Sequence, residues 1–237
     1  VSRRAKSPNA GLSSSRREST NHVSRGTNPL ISAPAAPAVA QTLFGERLEA
    51  VERYADLLAG PGVQRGLLGP REVGRLWDRH LLNCGALGSL IPHGADVCDV
   101  GSGAGLPGLV LALARPDLTV TLIEPLLRRA TFLSEAVDAL GLTNTRVVRA
   151  RAEDHSDLYD TVTARAVAPL PRLVRVTLGL CRPGGSVLAM KGERAALELA
   201  EVEPELAAHG VASWTIERLG EGLLETPTTV VRLVARS

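Results

Sequence analysis

The stretch Asp99-Val-Gly101-Ser-Gly103-Ala-Gly105-Leu-Pro-Gly108 places four glycines within eight residues. It follows a strand-like run and opens a helix-like one. Glycines in such a loop let the backbone turn sharply and approach a ligand with no Cβ in the way. The following helix start offers free N–H groups to an electron-rich ligand. About twenty residues on, at the end of the next strand-like run, stands Glu124, a carboxylate suited to both hydroxyls of a ribose. The pattern therefore predicts an adenosine-like cofactor. Gly103-x-Gly105-x-x-Gly108 with Glu124 also satisfies the dinucleotide fingerprint, so a nicotinamide cofactor stays open as an alternative. Three features favour S-adenosylmethionine. Asp99 can face the cationic amino-acid end of that cofactor, whereas it would repel a pyrophosphate. Pro107 suits the first turn of a helix. After the third strand, Arg151-Ala152-Glu153-Asp154 sets a small residue and an acid where the adenine would lie. The Ala152 backbone and the Glu153 carboxylate can accept from the exocyclic amine, while Asp154 and Asp157 read as a solvated loop.

Two basic residues end the next strands, Arg165 the fourth and Lys191 the fifth, on the side of the sheet where substrates bind. Either can donate to a guanine O6, a phosphate or a cofactor carboxylate. They are the candidates for positioning the substrate. Their surroundings narrow the reaction. Exocyclic base amines are usually methylated next to Asn or Asp before Pro-Pro-aromatic, and here that place reads Ala164-Arg-Ala-Val-Ala-Pro169. Methylating a pyrimidine carbon needs a cysteine nucleophile. Cys84, Cys98 and Cys181 all fall outside the loops at the carboxyl edge of the expected sheet. An acceptor already nucleophilic, such as guanine N7, needs in-line placement and little proton transfer.

These residues must be carried by a fold. Strand-like runs occupy 96–100, 118–123, 145–149, 161–164, 185–190, 212–218 and 228–235. Helical runs at 106–114, 126–140, 170–181 and 194–208 separate most of them, with no clear helix between the third and fourth strands. Alternation of this kind builds a parallel sheet covered on both faces. The last two strands are joined only by a loop, which predicts an antiparallel hairpin, because a parallel pair needs a longer crossover. The expectation is an α/β fold of the class I methyltransferase type, a Rossmann-like seven-stranded sheet with the last strand reversed, over residues 93–237. Before it, Leu43, Leu48, Val51, Tyr54 and Leu58 follow a helical spacing that Gly60-Pro61-Gly62 should stop, and a second helix is expected from Glu72 to about Leu90. Residues 41–92 thus predict a small helical cap. Residues 1–40 are aperiodic, hold six basic residues against Glu18, and are expected to be a disordered basic extension.

Composition sets limits. Aromatics are 3% of the 237 residues, which argues against rows of stacking rings for single-stranded nucleic acid. The net charge is +2, and the basic extension leaves the rest slightly acidic, so any RNA contact is expected through a local patch. Cysteine spacing fits no zinc motif, and no metal is expected. No apolar run reaches membrane length and no signal-peptide pattern follows the basic start, so a cytoplasmic protein is expected.

Five motifs in order, Trp77-Asp-Arg-His80-Leu-Leu82, the glycine loop ending Gly-Leu-Pro-Gly108, Ala152-Glu153, Ala164-Arg-Ala-Val167 and Met190-Lys-Gly192, resemble the RsmG (GidB) family of bacterial small-subunit ribosomal RNA guanine-N7 methyltransferases. The resemblance spans roughly residues 42 to 235. It implies S-adenosylmethionine as cofactor, with contacts at Gly101, Leu106, Ala152, Glu153 and Arg165. It also implies small-subunit ribosomal RNA, bare or in the assembled subunit, as partner, and a modification whose loss accompanies low-level streptomycin resistance. Asn83 and Cys84 stand where the family pattern has Asp and Ser. For His80 both a packing and a functional role remain open, as does a small-molecule substrate for the chain.

Overall fold

The computed structural model describes residues 32–237. Most of the segment read as a basic extension lies outside the described residues. Its last part, 32–40, does not behave as an extension. The Ala33 N–H donates to Asp56 (3.1 Å), Trp77 Nε1 donates to the Pro34 carbonyl (2.8 Å), and Ala40 is fully buried. The reason is local: Ala38–Phe44 is already helix α1, and Ala40 and Phe44 are the face it buries.

The cap continues through α2, Leu48–Leu57, which buries Val51, Tyr54 and Ala55. The expected stop at Gly60-Pro61-Gly62 is not a stop. Leu58–Gly62 winds on as a π-type turn containing Pro61. The wider turn accommodates the missing proline N–H and its ring, which a regular helix interior rejects. The second helix of the cap is likewise irregular. It runs as a 3₁₀ turn Pro70–Arg75, a π-type turn Leu76–Leu81, the short helix α3 Leu82–Ala86 and a 3₁₀ turn Leu87–Leu90. The π-type turn carries Trp77 and His80, both buried.

The sheet follows in seven strands: β1 Asp96–Val100, β2 Thr119–Ile123, β3 Thr145–Val148, β4 Tyr159–Arg165, β5 Cys181–Lys191, β6 Val211–Leu219 and β7 Thr228–Ala235. Between them lie α4 Gly108–Ala114, α5 Leu127–Leu140, α6 Leu170–Thr177 and α7 Ala195–Leu206. Only a 3₁₀ turn, Ala152–Asp154, separates β3 from β4. The spatial order is β3-β2-β1-β4-β5-β7-β6. The first five strands are parallel, and β7 runs antiparallel to both β5 and β6. This is the class I methyltransferase arrangement, with the reversed strand inside the hairpin rather than at the rim.

Alternation along the strands divides the core. On β5, Leu188 and Met190 face one apolar cluster while Val187 and Ala189 face the other. The first cluster also contains Phe44, Tyr54, Leu58, Trp77 and Leu81, so cap and sheet share one interior. Among the described residues no helix is long and apolar enough to cross a membrane.

Candidate active site

Register brings the predicted residues to one edge. Val100 pairs with Ile123 and Ala164, Ile123 with Val148, and Arg165 with Met190. The segments that leave this carboxyl edge hold residues 101–107, Glu124 and residues 152–153, while Arg165 and Lys191 end β4 and β5. In an open α/β sheet this is the edge where ligands bind.

The glycine loop is shaped by its own backbone and by three neighbours. Gly101, Gly103 and Gly105 have φ of +68°, +59° and +99°, a region other residues enter at a cost. A Cβ at Gly101 would lie 2.8 Å from Val167 Cγ2, and one at Gly105 would lie 2.8 Å from the Tyr54 hydroxyl. Asp99 is fully buried below the loop. Its Oδ2 accepts the Gly108 N–H (3.0 Å) and its Oδ1 accepts the Thr163 hydroxyl (3.3 Å). Burial pushes its carboxyl up to about 7, with the Gly108 N–H pulling the other way. This differs from the role expected for Asp99. Both oxygens serve the protein's own frame, and the Gly108 N–H, expected to be free for a ligand, is spent on Asp99. Pro107 caps α4 rather than entering its first turn.

Glu124 is 1% exposed and staples the loop to the start of α5. Its Oε2 accepts the Gly103 N–H (3.0 Å) and its Oε1 the Leu126 N–H (2.9 Å). Each carboxylate oxygen keeps a further lone pair, so hydroxyl donors can still be accepted. Leu106 is half-buried, Ala152 is buried at the 3₁₀ turn after β3, and Glu153 beside it is exposed.

Arg165 is not a surface ion-pair residue. Its Nη1 donates to Cys84 Sγ (3.3 Å), and its Nη2 donates to the Arg79 carbonyl (3.3 Å) and to His80 Nδ1. His80 in turn meets Glu72 Oε2 through Nε2 (2.9 Å). Burial, and secondarily the Arg165 charge, push the His80 imidazole down to about 4. A neutral ring with its proton on Nε2 satisfies both neighbours at once: it donates to Glu72 and accepts from Arg165. Cys84 is fully buried, and burial raises its thiol above the ordinary range. Sequence reading set all three cysteines away from this edge. Cys84 is in fact beside Arg165, although as a buried thiol rather than a nucleophilic thiolate.

Lys191 also differs from its expected part. Its side chain is 9% exposed, and Nζ donates to the Ala168 carbonyl (2.9 Å) and pairs with Glu198 (2.8 Å). The same Glu198 oxygen accepts the Leu170 N–H (2.8 Å). Lys191 thus holds the loop Ala166–Pro169 in place. Ala166 in this loop sits at φ +55°, and Val167 lies over Gly101.

A cavity of about 920 Å³ opens where these parts meet. Arg165, Ala166, Val167, Met190 and Lys191 line it at the sheet edge, the cap contributes Arg75, Asp78, Arg79 and Asn83, and Glu193, Glu198, Arg218 and residues 226–229 complete the lining. Arg75, Arg79 and Arg218 are exposed around its mouth. The glycine loop does not line the cavity but adjoins it through Val167. Tyr54, whose hydroxyl donates to the Ala104 carbonyl (2.7 Å), and the His80–Arg165 contact were not foreseen from sequence. The one available signal for Tyr54 was a tyrosine on the apolar stripe of α2, since a buried phenol needs a partner.

A family model described as rRNA small subunit methyltransferase G (GidB) matches residues 47–226. The chain is 59% identical over 196 residues to the Ribosomal RNA small subunit methyltransferase G of Thermobifida fusca, covering 82% of this chain and 83% of that one. It is 54% identical over 203 residues to the protein of that name from Mycolicibacterium gilvum, covering 84% and 89%. Among solved structures, the S-adenosylmethionine-dependent methyltransferase SibL is similar in fold, with a TM-score of 0.56 and 19% identity over 84% of this chain and 71% of that one.

Proposed function

Because the chain belongs to the rRNA small subunit methyltransferase G (GidB) family, we propose that it transfers a methyl group from S-adenosylmethionine to N7 of one guanine in 16S ribosomal RNA. The observation that carries the reading is the cavity at the carboxyl edge of β4 and β5, joined to the glycine loop through Val167 and lined by Arg75, Arg79 and Arg218 together with the acids Asp78 and Glu193. A cavity there would take an acceptor base beside the cofactor loop and leave phosphates to the rim.

The residues at the loop fit the cofactor. At Gly103 no side chain crowds the backbone, the buried Glu124 keeps lone pairs for ribose hydroxyls, and Ala152 with Glu153 makes the adenine wall. S-adenosylmethionine supplies an electrophilic methyl group on a sulfonium. The chain's own contribution is placement. Arg165, tied on one side to the cap, retains guanidinium N–H groups for guanine O6 or a phosphate. Arg75, Arg79 and Arg218 offer charge to the strand flanking the base. The exposed pairs that Arg79 makes with Glu72 and Arg218 makes with Glu221 are of the weak kind that a phosphate can exchange.

The choice of N7 rests on chemistry. The groups beside Arg165 that can take a proton are already engaged: His80 lies between Glu72 and Arg165, and Cys84 is a buried thiol. Guanine N7 has a free lone pair and loses no proton, so such a site suits it. The cavity would receive the nucleotide from RNA held in the small subunit, in the cytoplasm where that subunit is assembled.

The test is methylation of small subunits and of bare 16S RNA from cells lacking the protein, followed by mass mapping and by chain scission at N7-methylguanine. One guanine should gain a methyl group and become a scission site, and the deficient strain should gain low-level streptomycin resistance. Methylation of a sugar or an exocyclic amine would overturn the N7 assignment. Turnover that needs no RNA would overturn the substrate class.

A further inference from the structure

The segment 72–84 does more than pack. It contains a hydrogen-bonded chain that runs from an acid near the surface, through a buried imidazole, to the arginine that lines the cavity at the end of β4. We propose that Glu72 and His80 are positioning residues for methyl transfer, fixing the guanidinium of Arg165 in the plane and at the depth at which it meets the acceptor. The inference rests on the reading of Arg165 as an acceptor-facing group.

The geometry is directional. Glu72 Oε2 accepts from His80 Nε2 at 2.9 Å, which puts the ring proton on Nε2 and leaves the Nδ1 lone pair pointing at Arg165 Nη2. The Arg79 carbonyl accepts from the same nitrogen, and Cys84 Sγ lies 3.3 Å from Nη1. Three contacts from one cap segment to one planar group leave it little freedom to rotate. An arginine at a strand end otherwise has many rotamers, and restricting them before the substrate arrives removes a cost from the reaction. His80 is 8% exposed and does not line the cavity, so it acts through Arg165 and not on the base. Glu72 is about one-third exposed and also pairs with Arg79 at the cavity mouth, which links the rim to Arg165.

Two substitutions separate positioning from packing. In His80→Asn the amide oxygen stands near Nδ1 and can still accept from Arg165, but the reach to Glu72 is lost. In His80→Gln the amide can still reach Glu72, but no acceptor faces Arg165. Single-turnover and steady-state methylation of deficient small subunits should show kcat falling at least tenfold in His80→Gln, with KM for S-adenosylmethionine nearly unchanged. His80→Asn should retain several times more activity than His80→Gln. On an Arg165→Ala background His80→Gln should have no further effect on kcat. Equal losses in the two variants that follow their melting temperatures, or multiplicative effects in the double variant, would overturn the proposal. Should both His80 variants fail to fold, Glu72→Gln reads the same link from a partly exposed position: a several-fold fall in kcat that vanishes on the Arg165→Ala background supports it, and wild-type kcat overturns it. Wild-type protein is assayed alongside, so that a failure to methylate small subunits at all counts against the function and not against the positioning chain.

Discussion

A carboxylate that holds its own loop is a different object from one that waits for a ligand, and Asp99 is the first kind. Its residue type and place before Gly101 were readable from the sequence, as were the glycines and Glu124. Its partners were not, because they are a backbone N–H nine residues on and a hydroxyl from β4, Gly108 and Thr163. Burial raises the Asp99 carboxyl to about 7 in the folded chain, against ~3.9 in an unfolded one. The folded state therefore binds more protons across that window, and stability falls as pH rises from about 4 to about 7. Asp99→Asn removes this slope while keeping one acceptor oxygen for Gly108. Melting temperatures measured at about pH 5 and about pH 8 should show the variant gaining on the wild type at the higher pH. His80, pushed down by burial, gives the opposite slope in both proteins and cancels from the comparison. A difference between the two proteins that does not change with pH would mean that Asp99 is ionised in place.

Elements were legible where periodicity is regular and misread where it is not. β1 and β7 have the expected bounds, because each alternates or runs apolar between clear turn signals. The cap from Leu58 to Leu81 was read as one helix stopping and another starting. Its two π-type turns keep nearly the same apolar spacing as an α-helix, so the sequence pattern cannot separate them. What the cap does was less legible still, since it depends on contacts between distant residues. Helix α2 sends the Tyr54 hydroxyl 50 residues along the chain to the Ala104 carbonyl inside the glycine loop. Tyr54→Phe keeps the ring in the core but leaves that carbonyl unpaired and buried, a loss of about 1–3 kcal/mol. Calorimetric titration with S-adenosylmethionine should show affinity reduced several-fold, beyond what a small fall in melting temperature explains. Unchanged affinity would show that the loop keeps its shape without the cap.

At the scale of the whole molecule the seven strands and the closing hairpin follow from alternation and loop length, whereas handedness and crossover rules only narrow the strand order and do not choose β3-β2-β1-β4-β5-β7-β6. The boundary of the folded part does not follow from these, because residues 32–40 carry a low-complexity composition yet are packed. Their place is fixed by Trp77 reaching Pro34, by Asp56 reaching Ala33, and by Ala40 in the core, none of which composition encodes. Two nested truncations turn this into a test. A chain beginning at residue 32 should melt close to the full chain and methylate small subunits at a similar rate, since the residues removed lie outside the family match. A chain beginning at residue 41 loses both hydrogen bonds and the buried Ala40, and removes three of the seven residues of α1. It should melt several degrees lower, a shift equal to about 1–2 kcal/mol in a domain of this size. Its methylation rate should fall with it, because Trp77 stands in the turn that carries Arg79 and His80 to Arg165. If the shorter chain keeps both its melting temperature and its rate, residues 32–40 merely lie on the surface of the cap. If instead the chain beginning at residue 32 already loses activity at unchanged stability, the basic residues before it tether the RNA, and salt should weaken the full chain's binding more steeply than the truncated one's.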